Sequence, residues 1–153
     1  MDRLEWVRGV VDGILHGLKD EEDRRCGFVH LYGVSAAAAL LALRRGENVE
    51  LAAAAGMLHD LATYETGTPN DHATRGARRA QQILRSLGAF TDLEVEAVRL
   101  AIAHHSDKAA VHDAFSEVLK DADVLQHFLS RPGAPSLENQ RARREALRQE
   151  LDL

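Results

Sequence analysis

The sequence predicts an all-α fold, a compact bundle of about six or seven helices, and three observations carry that expectation. Alanine and leucine are abundant while aromatic residues make up only 5% of the chain, a composition that favours helices over strands. Only three prolines occur, Pro69, Pro132 and Pro135, all in stretches of turn residues, so no helix-length segment is interrupted. Apolar residues also recur at intervals of three and four along most of the length. At 153 residues the chain suits one domain spanning 1–153, and a chain of this size buries roughly 70% of its extended surface. That is enough for a core without a metal or disulfide staple, so any bound metal is expected to serve function rather than folding.

The elements follow in order. Residues 3–19 form a first amphipathic helix through Leu4, Val7, Val11, Ile14, Leu15 and Leu18, with Asp20-Glu21-Glu22-Asp23 expected to close it. Gly9, Gly13 and Gly17 fall four apart on this helix and predict close packing of a neighbour. The second helix spans 24–45, carries Val34, Ala37, Ala38 and Leu41 inward with His30 heading the stripe, and stops at Gly46-Glu47-Asn48. The third, 49–63, turns Leu51, Ala55, Leu58 and Ala62 inward and delivers His59 and Asp60 together at its end. A loop over 64–71 supplies Asn70 or Asp71 as an N-cap for the fourth helix, 72–87, which opens with His72.

After a loop at 88–92, the fifth helix presents Val98, Ala101 and Ile102 inward and ends in His104-His105. His105 continues the stripe at i+7 from Val98, whereas His104 is turned about 100° away, so His105 is favoured and His104 is second. The sixth helix, 114–129, buries Phe115, Val118, Leu119, Ala122, Leu125 and Leu129. Asp121 and Asp123 each lie about 100° from the centre of that face, and periodicity leaves both open. Residues 130–136 break the helix, and a last charged helix over 138–151, with Arg141, Arg143, Arg144 and Arg148, is expected to pack on the rest or be solvated.

Charge and composition exclude several classes. The formal net charge of −5 opposes general nucleic-acid binding or an anionic membrane surface. The single cysteine, Cys26, excludes an internal disulfide. No apolar stretch looks long enough to span a bilayer, and the N-terminus lacks the features of a secretion signal, so a cytoplasmic protein is expected. A homo-oligomer is left open.

The chemistry resides in His30, His59, Asp60, His72, His105 and one of Asp121 or Asp123, histidines and acids placed near helix ends or on core stripes of successive helices. Imidazole nitrogens and carboxylate oxygens are good ligands for divalent first-row metals. Independent core histidines would not recur in this way. Four segments carry a resemblance: Arg25…His30-x-x-x-Val34, Gly56-Met57-Leu58-His59-Asp60, Ala101-Ile102-Ala103-His104-His105-Ser106 and Asp121-Ala122-Asp123-Val124-Leu125. Together, over about residues 24–130, they resemble the HD-domain superfamily of metal-dependent phosphohydrolases.

The resemblance implies that His30, His59, Asp60 and Asp123 hold a first ion, Asp123 being preferred because it precedes the x-Leu pair Val124-Leu125 as the family's last aspartate does. It further implies that His72 and His105 hold a second ion, with Asp60 bridging. One or two divalent ions are expected, among Mn, Fe, Co, Ni, Zn and Mg. A metal can lower the pKa of bound water from about 15.7 to about 7, and the resulting hydroxide would attack phosphorus, with Asp60 orienting it. Arg25, Lys108 and Lys120, close in sequence to His30, His105 and Asp123, are the candidates for phosphate charge, with Asp60, Lys108 and Arg25 in catalytic roles. The expected function is phosphohydrolysis of a small phosphorylated compound, foremost a nucleotide. Its rivals are a di-iron oxygenase on the same scaffold and a nucleotide-sensing module without turnover.

Overall fold

The computed structural model describes residues 2–153 as eight helices, with no strand among them. These are α1 (Arg3–His16), α2 (Glu21–Arg45), α3 (Val49–Leu58), α4 (Leu61–Thr66), α5 (His72–Leu87), α6 (Asp92–His104), α7 (Ala114–Ser130) and α8 (Glu138–Glu150). The segments match those read from periodicity, with one division added: the expected third helix is cut at His59-Asp60 into α3 and α4.

The acidic run does not close α1. That helix ends at His16, and the Asp20 side chain accepts a hydrogen bond from the Asp23 amide at 2.8 Å as the N-cap of α2. Glu21, Glu22 and Asp23 then occupy the first turn of α2, where the positive end of the helix dipole stabilises them.

The core centres on α3, whose residues from Leu51 to Leu58 are all buried. It lies against α2, α6 and α7 and also touches α1 and α5. Small residues permit this, since a Cβ on Gly56 would stand 2.6 Å from the Ser35 Cα of α2. Gly9 and Gly13, by contrast, would meet nothing within 4 Å, so the spaced glycines of α1 are not a packing face. In α7 the buried stripe runs through Val118, Leu119, Ala122 and Leu125, while Leu129 is exposed.

Contrary to the expectation, α2 is long and apolar enough by length and composition to cross a membrane. One face of it serves the bundle: Leu31, Val34, Ala37, Ala38 and Leu41 are buried and the helix packs on α3 and α7, while Val29, Leu40 and Leu43 are exposed.

The two-residue joint between α3 and α4 positions the site. Asp60 leaves the helical region at φ −114° and ψ 6°, while its carbonyl accepts from Thr63 at 2.9 Å to start α4 at once. Helix α5 rides directly on this joint: a Cβ on Gly76 would collide with the His59 carbonyl oxygen. Asp71 occupies the N-cap position of α5 in the left-handed region, φ 50°, without a side-chain capping bond.

Candidate metal centre

Three histidines are aimed by hydrogen bonds at Nδ1, two of them through the same local device. His59, at the C-cap of α3, and His105, at the C-cap of α6, each place Nδ1 against the carbonyl three residues earlier, Gly56 at 2.7 Å and Ile102 at 2.6 Å. Those carbonyls belong to a last helical turn, which leaves acceptors free for such donors. His30 on α2 sets Nδ1 2.9 Å from Gln126 Oε1 on α7, and the Gln126 amide in turn donates to the Val29 carbonyl at 3.4 Å. An Nδ1–H committed to an oxygen leaves Nε2 as a lone pair. All three Nε2 atoms therefore face inward as acceptors.

The acceptors crowd one another. His30 Nε2 and His59 Nε2 are 3.1 Å apart, and two lone pairs at that distance repel unless a cation or proton lies beside them. Asp60 Oδ2 is 3.4 Å from His30 Nε2 and 3.3 Å from His59 Nε2. Asp123 Oδ1 is 3.7 Å and 3.8 Å from the same nitrogens. Ligand bonds of about 2.0–2.2 Å imply ligand-to-ligand edges of about 2.8–3.1 Å for adjacent octahedral positions and about 3.3–3.6 Å for tetrahedral ones. The atoms of His30, His59 and Asp60 thus have the spacing of one coordination shell, whereas Asp123 stands slightly beyond it and also lies near His105 and His127.

The second oxygen of Asp60 serves another set. Oδ1 is 3.4 Å from His105 Nε2, and Asp60, His72 and His105 offer ligand atoms that lie within 4.8 Å of one another. Asp60 Oδ1 and Asp123 Oδ1 are both buried without a hydrogen-bond partner, a costly state for a carboxylate oxygen that nothing neutralises. Facing lone pairs, orphaned carboxylate oxygens and a mixed imidazole and carboxylate donor set all fit a divalent cation.

The electrostatics agree. Burial pushes the Asp60 carboxyl up, but His59, His105 and His30 outweigh it and hold the group well below the usual carboxylate range. Burial likewise opposes ionisation of Asp123, and His127, Lys108 and His59 overcome it. His59 is pushed down by burial yet carried up to about 8 by Asp60 and Asp123. His105 is lowered, chiefly by burial.

The remaining expected residues divide. Lys108 is buried at the cluster, where Nζ lies 2.7 Å from Asp123 Oδ2 and 2.5 Å from the His105 carbonyl. It meets Asp123 rather than the open cavity. Arg25 lines the rim of the cavity but is exposed and paired with Glu22, Nε to Oε2 at 3.1 Å. Lys120, expected near the substrate, is not there: its Nζ is held by Ala110 O at 2.8 Å, His112 Nδ1 at 2.5 Å and Glu117 at 2.9 Å. The spacing of three from Asp123 keeps the two within about 60° around α7, but the Lys120 side chain is drawn off to the 110–112 segment and Glu117. Asp121 turns toward Arg45 at 2.8 Å and Arg143 at 3.0 Å, and His104 stacks on His112 with centroids 3.8 Å apart. Both lie away from the cluster.

Two neighbours escaped the sequence reading. His127 lies one turn beyond Asp123, its Nε2 3.4 Å from Asp123 Oδ1 and its ring 5.1 Å from that of His30. The spacing Asp123-x-x-x-His127 was the available signal. Gln126 had none, because it acts on His30 across 96 residues. Outside His30 and Asp60 a cavity of about 420 Å³ opens, walled in part by Tyr64, Gln126, His127 and Arg131.

Comparison with known proteins agrees with this geometry. Residues 27–127 match the family described as HD domain. The chain is 30% identical over 132 residues to YueE of Bacillus subtilis (strain 168), a protein named as a phosphohydrolase, covering 76% of this chain and 74% of that one. It is also similar to the crystal structure of a predicted HD superfamily hydrolase from an uncultured Thermotogales bacterium, with a TM-score of 0.65 and 25% identity over 93% of this chain and 85% of the other. The matched region contains His30, His59, Asp60, His72, His105 and Asp123, and the chain belongs to the HD-domain superfamily, as a hydrolase of that family.

Proposed function

We propose that this hydrolase removes a phosphoryl group from a small phosphorylated compound, of the nucleotide class, in a metal-dependent reaction. In this reading His30, His59, Asp60 and Asp123 hold one divalent ion, and Asp60, His72 and His105 hold a second. The observation that carries it is the split of Asp60, whose Oδ2 faces His30 and His59 while Oδ1 faces His105. A carboxylate divided between two imidazole sets is what a bridging ligand requires.

Divalent ions, when bound, supply Lewis acidity toward the phosphoryl oxygens and make a bound water acidic enough to serve as nucleophile near neutral pH. The chain's own groups do the rest. Asp60 stays ionised and can orient the attacking water. Lys108 holds Asp123 Oδ2 so that Oδ1 remains turned inward. Gln126 and the two helix-end carbonyls fix the ring orientations, a role that supporting hydrogen bonds play around metal sites in general. Arg25, at the rim, can exchange Glu22 for an incoming phosphate, and Tyr64, Val29 and Cys26 give the cavity a less polar wall that suits a flat base.

The test is to purify the protein without air, measure its metal content, and screen it for phosphate release from nucleotides and sugar phosphates. We expect at least one divalent ion per chain and phosphate release that is lost in His59→Ala and Asp60→Asn. The proposal fails if metal-loaded protein releases no phosphate. Bound iron with oxygen uptake would then identify an oxygenase, and tight nucleotide binding without turnover a sensor.

A further inference from the structure

Beyond the metal cluster, α7 leads into a second, smaller cavity of about 180 Å³ between its C-terminal turn, the segment 131–137 and α8. No aspartate or glutamate lines it, which is unexpected in a chain with 24 acidic residues and a net charge of −5. The polar groups that line it are His127, Arg131, Ser136, Gln140 and Arg144. Each can donate a hydrogen bond, and two carry a permanent positive charge.

Neither arginine has a carboxylate partner, a state that among the described residues they share with Arg24, Arg44, Arg75, Arg78, Arg85, Arg141 and Arg148. Arg3, Arg8, Arg25, Arg45, Arg79, Arg99 and Arg143 each pair with a carboxylate. Arg144 does not: its guanidinium stacks 4.0 Å above the Phe128 ring and donates to Ser136 Oγ at 2.5 Å. That arrangement fixes its orientation without neutralising its charge. The Arg131 side chain has neither a carboxylate partner nor a hydrogen bond among the described residues. Oriented but uncompensated guanidinium groups bind phosphate and carboxylate oxygens by charge-assisted, often bidentate contacts.

This cavity adjoins the one outside the metal cluster. His127 and Arg131 line both cavities, and Asp123 and His127 lie one turn apart on α7, with Arg131 four residues further on at its C-cap. Asp123 to Arg131 spans about 12 Å of helix axis, the length of a short linker between two anionic groups.

We propose that the α7–α8 cavity is a second anion subsite, in which Arg131 and Arg144 bind a phosphate or carboxylate of the substrate other than the phosphoryl group that is cleaved. This rests on the phosphohydrolase reading and narrows it: the preferred substrate carries two anionic groups, and the second one selects it.

Two probes test it, hexyl monophosphate and α,ω-hexanediol bisphosphate, as substrates for metal-loaded protein. The expected result is a KM for the bisphosphate at least tenfold below that for the monophosphate. Arg144→Gln, whose side chain lines the second cavity and not the one outside His30 and Asp60, should abolish that advantage while leaving kcat and the monophosphate KM unchanged, and Arg131→Gln, which walls both, should abolish the ratio of the two KM values whatever it does to the monophosphate KM. Arg144→Gln removes a stacked side chain, so its melting temperature is recorded alongside. Arg131 is exposed and unpartnered, so Arg131→Gln keeps the wild-type melting temperature and decides the matter if the other variant unfolds. Equal KM values for the two esters, or a bisphosphate advantage that survives in Arg131→Gln, overturn the subsite. A calorimetric titration with the non-hydrolysable α,ω-hexanebisphosphonate separates this from the hydrolase reading. Binding that weakens at least tenfold in Arg131→Gln, with neither ester hydrolysed, keeps the subsite and refutes the hydrolase. Hydrolysis of both esters, with bisphosphonate binding unchanged in Arg131→Gln, does the reverse.

Discussion

Replacing Gly76 by alanine would normally stabilise a helix, by about 0.5–1 kcal/mol, because glycine loses more backbone freedom on folding. In α5 the opposite is expected. The new Cβ would stand closer than 3.0 Å to the His59 carbonyl oxygen and 3.3 Å from Ile102 Cγ2. The first of these is backbone and cannot swing aside as the end of a flexible side chain would. Reaching ordinary contact requires a movement of about 1 Å, and overpacking of this kind typically costs about 1–3 kcal/mol. Set against the helix gain, Gly76→Ala should destabilise the protein by about 1–2 kcal/mol in urea unfolding. The displaced carbonyl belongs to the peptide bond joining His59 to Asp60, so both side chains move with it, and a misplacement of about 1 Å can cost about 100-fold in activity. Gly9→Ala is the control: nothing lies within 4 Å of its Cβ, and it should stabilise by about 0.5–1 kcal/mol. If Gly76→Ala stabilises as much as Gly9→Ala and keeps full metal affinity, the placement of α5 on the joint is wrong.

Gln126→Leu removes the acceptor that turns His30, and metal affinity measured by competition with a chelator should fall about 10–100-fold. Lys108→Met keeps the volume but leaves Asp123 Oδ2 without its donor, and the same assay should show a loss of similar size. Divalent metal at 100 times its Kd should stabilise the wild type by about 2.7 kcal/mol, seen as a higher melting temperature, and should not do so in Asp60→Asn. The Glu117 carboxyl is pushed up by burial but brought down to about 2, from an ordinary 4.5, by Arg143, the His112 amide and Lys120. A lowered carboxylate pKa stabilises fully above 4.5 and progressively less as pH falls toward 2, so acid unfolding in that window should be shallower in Glu117→Gln.

Helix periodicity exposed most of the fold because each long helix keeps its own apolar stripe. The break at His59-Asp60 was hidden for the same reason. Leu58, Leu61 and Ala62 continue the apolar pattern on both sides, and the break coincides with the close approach of Gly76 to the His59 carbonyl, which only the folded chain brings together. The acidic run 20–23 could have been assigned correctly, since acids fit the first turn of a following helix better than the last turn of a preceding one. At the site, the i+7 relation from Val98 brought His105, rather than His104, to the cluster. Asp121 and Asp123 were equivalent by angle, and tertiary packing separates them: Arg45 of α2 and Arg143 of α8 take Asp121, while Asp123 faces His30 and His59. Lys120 was chosen for closeness along the chain, and what takes it from the site is its own set of partners, the Ala110 carbonyl, His112 and Glu117, which the sequence did not reveal.

The last helix lies outside the family's matched region, which stops at residue 127. Yet Arg143 reaches back to bond the Lys108 carbonyl at 2.8 Å and the Ala110 carbonyl at 3.0 Å. The residue that braces Asp123 is therefore itself buckled in place from α8. Trimming the protein at Ser130 would spare every histidine and aspartate of the cluster and still slacken it. Sequence drift in this helix is accordingly a means by which relatives with identical clusters could differ in how firmly they keep a metal.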